Sequence, residues 1–522
     1  MAYVVCLSEM IFKKIAGKRA TYFISLLFVF IFMLVSGASS SVIRAVIMLS
    51  FNILSNIFYK KSNTIFNISS SAVLMFLINP LIIYDIGFVL SFGGTFGIVC
   101  LSKTLRDKFI KFGYFAETLA VTCSAQIVLT PVMMYYFNTF STFSVFANLI
   151  IVPISGSITI LSFIIFLFSI FSFRIAKLLS YSLYILTTFT IKLAEIFSKL
   201  PFSMIKVITP NIFEIAIFYF IIFSRTGKIL LPKRKYRLIE GSQKRISSNI
   251  IWLVVSIFFI LEIVYYNFPK NYVEVNCIDV GQGDAFYIKT NFNNHILIDG
   301  GGSETYDVGQ NILVPYLLDR RVISIDAIFI SHSDSDHLNG ILEVLEEFHV
   351  KKIFIAKNSK GYNKLFEIAK CKKIEICEIS IDDKVEIDGL EFIVMWPGIN
   401  ADNSDPNEYS LVLKMRYGEK SMLFTGDIGK DTEEKLKNIK SDILKVGHHG
   451  SVNSSGKWFI ERGSPSLSII SVGKENKYGH PNKQVVRMLG EKSIVLSTAE
   501  CGEIRLKIYK NKIKAQTRLN KI

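Results

Sequence analysis

From Tyr22 to Tyr266 the chain returns repeatedly to apolar runs long enough to cross a bilayer, and no compact water-soluble core needs that many. The spacing predicts spans at 22–37, 41–58, 67–84, 86–102, 117–137, 142–170 (read as one span or a broken pair), 177–197, 207–224 and 249–267. The composition agrees: 51% of residues are hydrophobic, 20% are charged, and the mean hydropathy is +0.40. That is more apolar than an ordinary soluble chain of this length. The net charge of +16 is concentrated in the same half: residues 1–270 hold roughly 25 Lys and Arg against about 8 acids. Basic clusters punctuate the apolar runs at Lys60-Lys61, at Lys103 to Lys111 and at Arg225 to Arg245. Loop charge of this kind keeps a segment in the cytoplasm, so it is no sign of nucleic-acid binding. The first run follows Lys13, Lys14, Lys18 and Arg19 without a small-residue cleavage pattern, so it reads as a span that stays. With the densest basic cluster inside, the span 249–267 carries the chain across, and the residues after Lys270 are expected outside the cytoplasm.

Beyond Lys270 the texture changes to short apolar strands separated by turns and amphipathic helices. Strands are expected at 273–278, 285–288, 295–298, 410–415, 421–424, 443–446, 466–471, 493–496 and 504–509, with helices at 341–348 and 432–438. Strands first and last with helices between predict two sheets packed face to face, helices outside. The expected domains are therefore a polytopic α-helical membrane region at 1–224, a basic cytoplasmic loop and final span at 225–270, and a soluble domain at 271–522.

The chemistry gathers in that last region. All 7 histidines lie after residue 290, and two fall in the hexamer His332-Ser333-Asp334-Ser335-Asp336-His337, just behind the apolar run Ala327 to Ile330. In an extended segment His332 and Asp334 face the same side, leaving Asp336 and His337 to reach a second metal ion. Asp427, at the end of Leu423-Phe424-Thr425-Gly426-Asp427, is the expected bridging carboxylate. His448 and His449 close another strand, and His480 lies in the turn Tyr478-Gly479-His480-Pro481. His448 is taken as the ligand, but either of the pair fits. Asp336, His449 and His480 are the expected catalytic groups, with His480 or the non-ligating member of the pair as proton donor. Asn453, Ser454 and Ser455 are expected to hold phosphate. A strand-end Asp-Gly alone is usually a turn. Such clusters recurring at successive strand ends are another matter. Asp299 closes one more strand but is left outside the set. His295, inside a strand, and His349 read as structural. The 7 cysteines form no CxxC pair, which argues against a zinc ribbon or a disulfide framework.

The hexamer, Thr425-Gly426-Asp427 and His448-His449-Gly450-Ser451 together resemble the metallo-β-lactamase superfamily, in its phosphodiesterase and nuclease branch. That resemblance implies an αββα fold over about 273–510, two divalent metal ions and hydrolysis. The commoner hexamer has His where Asp334 stands, and no histidine lies between His349 and Asp427. Fewer imidazoles make a harder site, so Mn²⁺ or Mg²⁺ is expected to serve at least as well as Zn²⁺.

Polar residues in the membrane region carry a second resemblance. Gly37-Ala38-Ser39-Ser40-Ser41-Val42-Ile43-Arg44-Ala45, Asn79-Pro80 with Asp85 to Phe92, Thr130-Pro131 through Asn148 to Pro153, and Asp279 to Asp284 are similar to the ComEC family of DNA-internalisation proteins. Arg44 and Asp85, in or beside spans, are the expected transport-pathway residues. The resemblance implies natural transformation: one DNA strand crosses the plasma membrane, the other is degraded by the extracytoplasmic domain. It also implies DNA, a DNA receptor, a cytoplasmic translocase ATPase and further copies of the chain as partners. Further N-terminal spans and an OB-like domain, usual in that family, are not seen, so a shortened form is expected. A membrane-anchored phosphodiesterase without transport is the alternative, and an inactive relic the third reading.

Overall fold

The computed structural model describes residues 17–58, 63–225, 248–398 and 401–519. Lys13 and Lys14, the pair Lys60-Lys61 and the basic run after Arg225 lie outside the described residues. The chain divides into two compact units, Met1–Glu240 and Gly241–Ile522.

The first unit is helical: α1 (Gly17–Val35), α2 (Ser40–Ile57), α3 (Thr64–Ile78), α4 (Ile86–Phe109), α5 (Ala116–Phe137), α6 (Ser144–Phe171), α7 (Phe173–Ser198) and α8 (Ile212–Arg225). A short antiparallel pair, β1 (Thr139–Ser141) and β2 (Met204–Lys206), accompanies them. Among the described residues, four helices are long and apolar enough to cross a membrane: Ser40–Ile57, Ile86–Gly113, Ala116–Phe137 and Ser144–Phe171. The expected span 67–84 is instead interrupted. α3 stops at Ile78, and Asn79 caps a short turn of helix, Pro80–Tyr84. Pro80 lacks an N–H and disfavours helical geometry in the residue before it. In contrast, 142–170 is one continuous helix with Pro153 inside, and Pro131 likewise lies within α5. α4 and α5 pack closely where Gly97 meets the backbone of Ser124, a small-residue contact of the kind that lets helices approach in lipid.

The second unit opens with α9 (Ser248–Asn267) and continues into two sheets. The first sheet contains β3 (Tyr272–Cys277), β4 (Phe286–Lys289), β5 (His295–Ile298), β6 (Ser324–Phe329), β7 (His349–Ala356), β8 (Glu375–Ile379), β16 (Ile504–Tyr509) and β17 (Ile513–Thr517), in the order β17-β16-β3-β4-β5-β6-β7-β8. The second sheet holds β9 (Lys384–Ile387), β10 (Leu390–Trp396), β11 (Val412–Tyr417), β12 (Lys420–Phe424), β13 (Ile443–Lys445), β14 (Leu467–Ile470) and β15 (Ile494–Ser497), in the order β15-β14-β13-β12-β11-β10-β9.

Alternating apolar positions of both sheets meet in one core, with Phe286 edge-on to Phe424 at 5.2 Å and Phe329 against Phe392 at 4.8 Å between ring centroids. A second apolar cluster, including Leu423, Leu444, Phe459 and Leu489, seats helices on the outer face of the second sheet. This is the αββα arrangement expected. β5 and β6 run parallel, as do β12, β13 and β14, so their C-terminal ends open on the same edge.

Helix boundaries differ most. The helix expected at 341–348 spans Ser335–Glu347, so the hexamer's last three residues form its first turn. The helix expected at 432–438 is only Lys430–Glu433. The amphipathic stripe marks the middle of the first helix. Its start is instead held by glycine backbone: Gly300 N donates to His337 O at 2.9 Å, and Gly340 N to Gly301 O at 2.9 Å. A Cβ on Gly340 would collide with the Gly300 carbonyl, so only glycine permits this approach.

Candidate metal centre

Three strand ends deliver the site. β6 runs into His332, and the start of the next helix turns Asp336 and His337 inward. β12 runs through Thr425 and Gly426 to Asp427. β13 leads to the His448–His449 turn, where both residues adopt left-handed backbone (φ 46° and 52°). Non-glycine residues pay for that conformation, and here it directs His449 into the interior.

Asp336, His337, Asp427 and His449 each offer a ligand atom, and the four atoms lie within 4.8 Å of one another. His337 Nε2 is 3.3 Å from Asp427 Oδ2. His449 Nε2 is 3.2 Å from Asp427 Oδ2 and 3.2 Å from Asp336 Oδ2. The far nitrogens fix the rings. His337 Nδ1 pairs with Asp299 Oδ2 at 3.0 Å, and His449 Nδ1 donates to the Ser471 carbonyl at 2.9 Å. His332 is held through Nδ1 by Ser331 Oγ at 2.9 Å, its ring centroid 4.1 Å from that of His337. Among the described residues, the Nε2 atoms of His332, His337 and His449 are buried and make no hydrogen bond of good geometry. Buried nitrogens oriented by outer partners and aimed at carboxylates fit a divalent cation.

Charge follows the same pattern. Burial opposes the charge on Asp427, but His449, His337 and Lys445 outweigh it and hold its carboxyl well below the usual range. Burial also opposes imidazolium at His337 and His449. There Asp427, joined by Asp299 at His337 and by Asp284 at His449, raises both well above the ordinary value. His332 goes the other way: burial, then His337, push it down to about 3.

The family comparisons agree with this geometry. Residues 1–229 match the family described as Competence protein, and residues 278–474 match the Metallo-beta-lactamase superfamily. The chain is 30% identical over 521 residues to "ComE operon protein 3" of Bacillus subtilis (strain 168), covering 94% of this chain and 64% of that protein. The chain thus joins a region matching the Competence protein family to a metallo-β-lactamase domain. It is also 32% identical over 257 residues to "Competence protein ComA" of Neisseria gonorrhoeae, covering 48% of this chain and 34% of that one. With "Recombination protein 2" of Haemophilus influenzae the identity is 30% over 247 residues, covering 47% and 30%. The chain spans less than two thirds of the length of these relatives. Among solved structures, the metallo-β-lactamase fold protein YhfI of Bacillus subtilis aligns with 45% of this chain and 100% of that chain, at 10% identity and a TM-score of 0.32. The metallo-β-lactamase fold implies divalent metal ions, and the His/Asp cluster is the candidate site for them.

Other residues singled out from the sequence stand around this cluster. Asp334 is half-exposed at its mouth, 3.8 Å from His332 Nε2, with its carboxyl raised by partial burial and by Asp336. The His448 ring lies 6.3 Å from that of His449 and 6.0 Å from that of His480, which stacks on Tyr478 at 5.9 Å. Of the histidine pair, therefore, His449 enters the ligand cluster and His448 faces the rim. Ser454 and Ser455 are fully buried: Ser454 Oγ donates to Gly447 O at 2.7 Å, and Ser455 N to Glu433 Oε1 at 2.5 Å. Asn453 is the exposed member of that trio.

In the first unit, Arg44 donates to Ser91 O and Thr95 Oγ1 and lies 5.7 Å over the Phe92 ring, while Ser40 donates to Asp85. Asp85 also caps α4 through Gly87 N at 2.8 Å. Both residues thus join α2 to α4.

Three site residues escaped the sequence reading. Asp299 orients His337. Asp284 and Lys445 are buried together, with Lys445 Nζ bonded to Asp284 Oδ2 and 3.2 Å from Asp427 Oδ1. A lysine inside the apolar strand Ile443-Leu444-Lys445-Val446 was the available signal, since a lysine is almost never fully buried unless paired.

Proposed function

We propose that this chain is a component of a DNA-uptake channel in natural transformation, with single-stranded DNA crossing the plasma membrane through its helical unit. Its second unit acts, in this reading, as an extracytoplasmic metal-dependent nuclease on the strand that is not transported. The observation that carries the hydrolase half is the buried convergence of Asp336, His337, Asp427 and His449. The membrane half is supported by the four long apolar helices and by the competence-protein match over residues 1–229.

Asp336, His337, Asp427 and His449 would hold one divalent ion, and His332 with Asp334 a second. Such ions supply Lewis acidity toward a phosphoryl oxygen and water of lowered pKa. Mn²⁺ or Mg²⁺ is proposed to serve at least as well as Zn²⁺, because carboxylates make up half of the first set. The protein's own share is orientation: Asp299 and Ser471 fix the two rings, and Asn453 stands exposed where a phosphate would pass. His480 stands at the rim, its imidazole held below the ordinary value by partial burial and by His448. Its proposed role is proton exchange with the leaving oxygen. The proposed partners are DNA, a DNA receptor, a translocase ATPase and other copies of this chain.

The test uses the full chain, purified with Mn²⁺ and given end-labelled DNA. Asp336→Ala should abolish cleavage, and unchanged turnover would reject the site. An Arg44→Ala strain should lose transformation while cleavage persists. Cleavage with transformation intact favours the alternative, an anchored phosphodiesterase without transport.

A further inference from the structure

The strand directions separate two ends of the second unit. The metal cluster occupies the edge where β5, β6, β12 and β13 finish. At the opposite edge stands Tyr272, the first residue of β3, which the chain reaches directly from α9. Six-residue strands rising about 3.3 Å per residue put roughly 20 Å between the two edges. α9 is fastened at that opposite edge: Arg321 donates to Glu262 at 2.6 Å, and its guanidinium lies 4.7 Å over the Tyr266 ring. If α9 spans the membrane, as the proposed function requires, this edge faces the bilayer.

The same edge holds a polar cavity of about 520 Å³, formed where β11 turns into β12 and where β13 begins. Lys414, Arg416, Lys420 and Lys440 line it, and the acids among its lining residues are Glu419 and Asp442. Asp442 is already engaged, accepting Lys420 Nζ at 2.8 Å and Ser421 N at 2.9 Å. Ser441 also lines the cavity. It is only 4% exposed, and its Oγ has no hydrogen-bond partner among the described residues. A buried hydroxyl without a partner is costly, and in a basic cavity an anionic oxygen would satisfy it. The cavity adjoins the α9 end through the β11–β12 turn, where Glu419 N donates to Lys510 O at 2.8 Å, one residue beyond Tyr509. Tyr509 in turn packs on Tyr272 at 5.4 Å. Lys507 and Lys512 lie over these two rings, at 5.2 and 5.0 Å, and extend the basic surface.

We propose that this cavity binds the phosphate of an anionic phospholipid headgroup and so docks the hydrolase unit on the bilayer, with the metal cluster turned away from the membrane. Position favours lipid over nucleic acid: the cavity lies at the edge where α9 joins and far from the metal cluster. Clustered cations beside a membrane segment recognise anionic lipid in this way.

The test reconstitutes the full chain in nanodiscs of phosphatidylcholine, with and without phosphatidylglycerol, and follows hydrogen–deuterium exchange. Exchange across 414–421 and 438–442 should slow several-fold when phosphatidylglycerol is present, with no change around Asp427. Arg416→Glu with Lys440→Glu should erase the difference at unchanged thermal midpoint and metal content, and Lys440→Gln should reduce it. Equal exchange in the two discs overturns the proposal. So does protection that requires an oligonucleotide or inorganic phosphate and ignores phosphatidylglycerol. A chain that fails to enter nanodiscs overturns the membrane reading first, and this inference with it.

Discussion

Lys445 Nζ lies 3.2 Å from Asp427 Oδ1, which leaves Oδ2 of the same carboxylate facing His337 and His449. One carboxylate is thus divided between a permanent cation and the metal cluster. Burial opposes the charge on Lys445, but Asp284 and Asp427 outweigh it and hold the ammonium above its ordinary range. Replacing it by Met strands Asp284, which is itself 2% exposed. Breaking a buried pair from one side costs about 3–5 kcal/mol. Lys445→Met should therefore lower the thermal midpoint sharply and reduce bound metal. Adding Asp284→Asn should recover much of the stability, a coupling that a double-mutant cycle measures directly. Additive losses would show that the pair does not act as a unit.

The two adjacent histidines should separate cleanly by metal content. His449→Ala removes a buried nitrogen from the cluster, and Asp427→Asn weakens the carboxylate shared by both rings. Each should cut bound Mn²⁺ or Zn²⁺, measured by elemental analysis after dialysis, by at least roughly tenfold. His448→Ala changes a rim residue and should leave metal content near that of the parent. Loss in His448→Ala and retention in His449→Ala would reverse the assignment.

How far the fold and the site could be read from sequence depends on range. The hexamer and Asp427 were legible because each sits beside an apolar strand that marks a strand end. The choice between His448 and His449 was not, because it depends on two consecutive left-handed residues that no periodicity reveals. Asp284 and Asp299 were visible as turn residues, but their work is done across the fold, on Lys445 and His337. In the membrane region, apolar runs located the helices well. They could not show that Pro80 ends one helix while Pro153 is absorbed by another, since tertiary neighbours decide that.

His295 supplies a pH signal independent of the metal centre. Its Nδ1 shares a hydrogen bond with Tyr287 OH at 2.8 Å, and burial together with Lys289 pushes the imidazole down to about 4. An unfolded histidine protonates near 6.5. Between these values the unfolded chain binds the extra proton, so stability is full above about pH 6.5 and falls as the pH drops toward 4. The slope from this group is at most about 1.4 kcal/mol per pH unit. His295→Gln keeps a hydrogen-bonding partner for Tyr287 and should flatten the acid limb of a plot of thermal midpoint against pH. An unchanged limb would mean that other groups set it.

Two glycines of α4 should respond in opposite ways to the same methyl group. A Cβ on Gly97 would stand 2.6 Å from Ser124 O and 2.9 Å from Val128 Cγ2, so α5 must move to admit it. Backbone cannot yield as a side-chain end can, and overpacking of this kind costs about 1–3 kcal/mol. At Gly93 the nearest atoms to a Cβ are Leu129 Cδ2 at 3.5 Å and Val128 Cγ1 at 4.0 Å, which is ordinary contact. There alanine adds packing and removes the helix cost of glycine, worth up to about 1 kcal/mol. Gly97→Ala should therefore lower the thermal midpoint of the detergent-purified chain, and Gly93→Ala should leave it level or raise it. A level or raised midpoint in Gly97→Ala would mean that α4 and α5 are not closely apposed along this face.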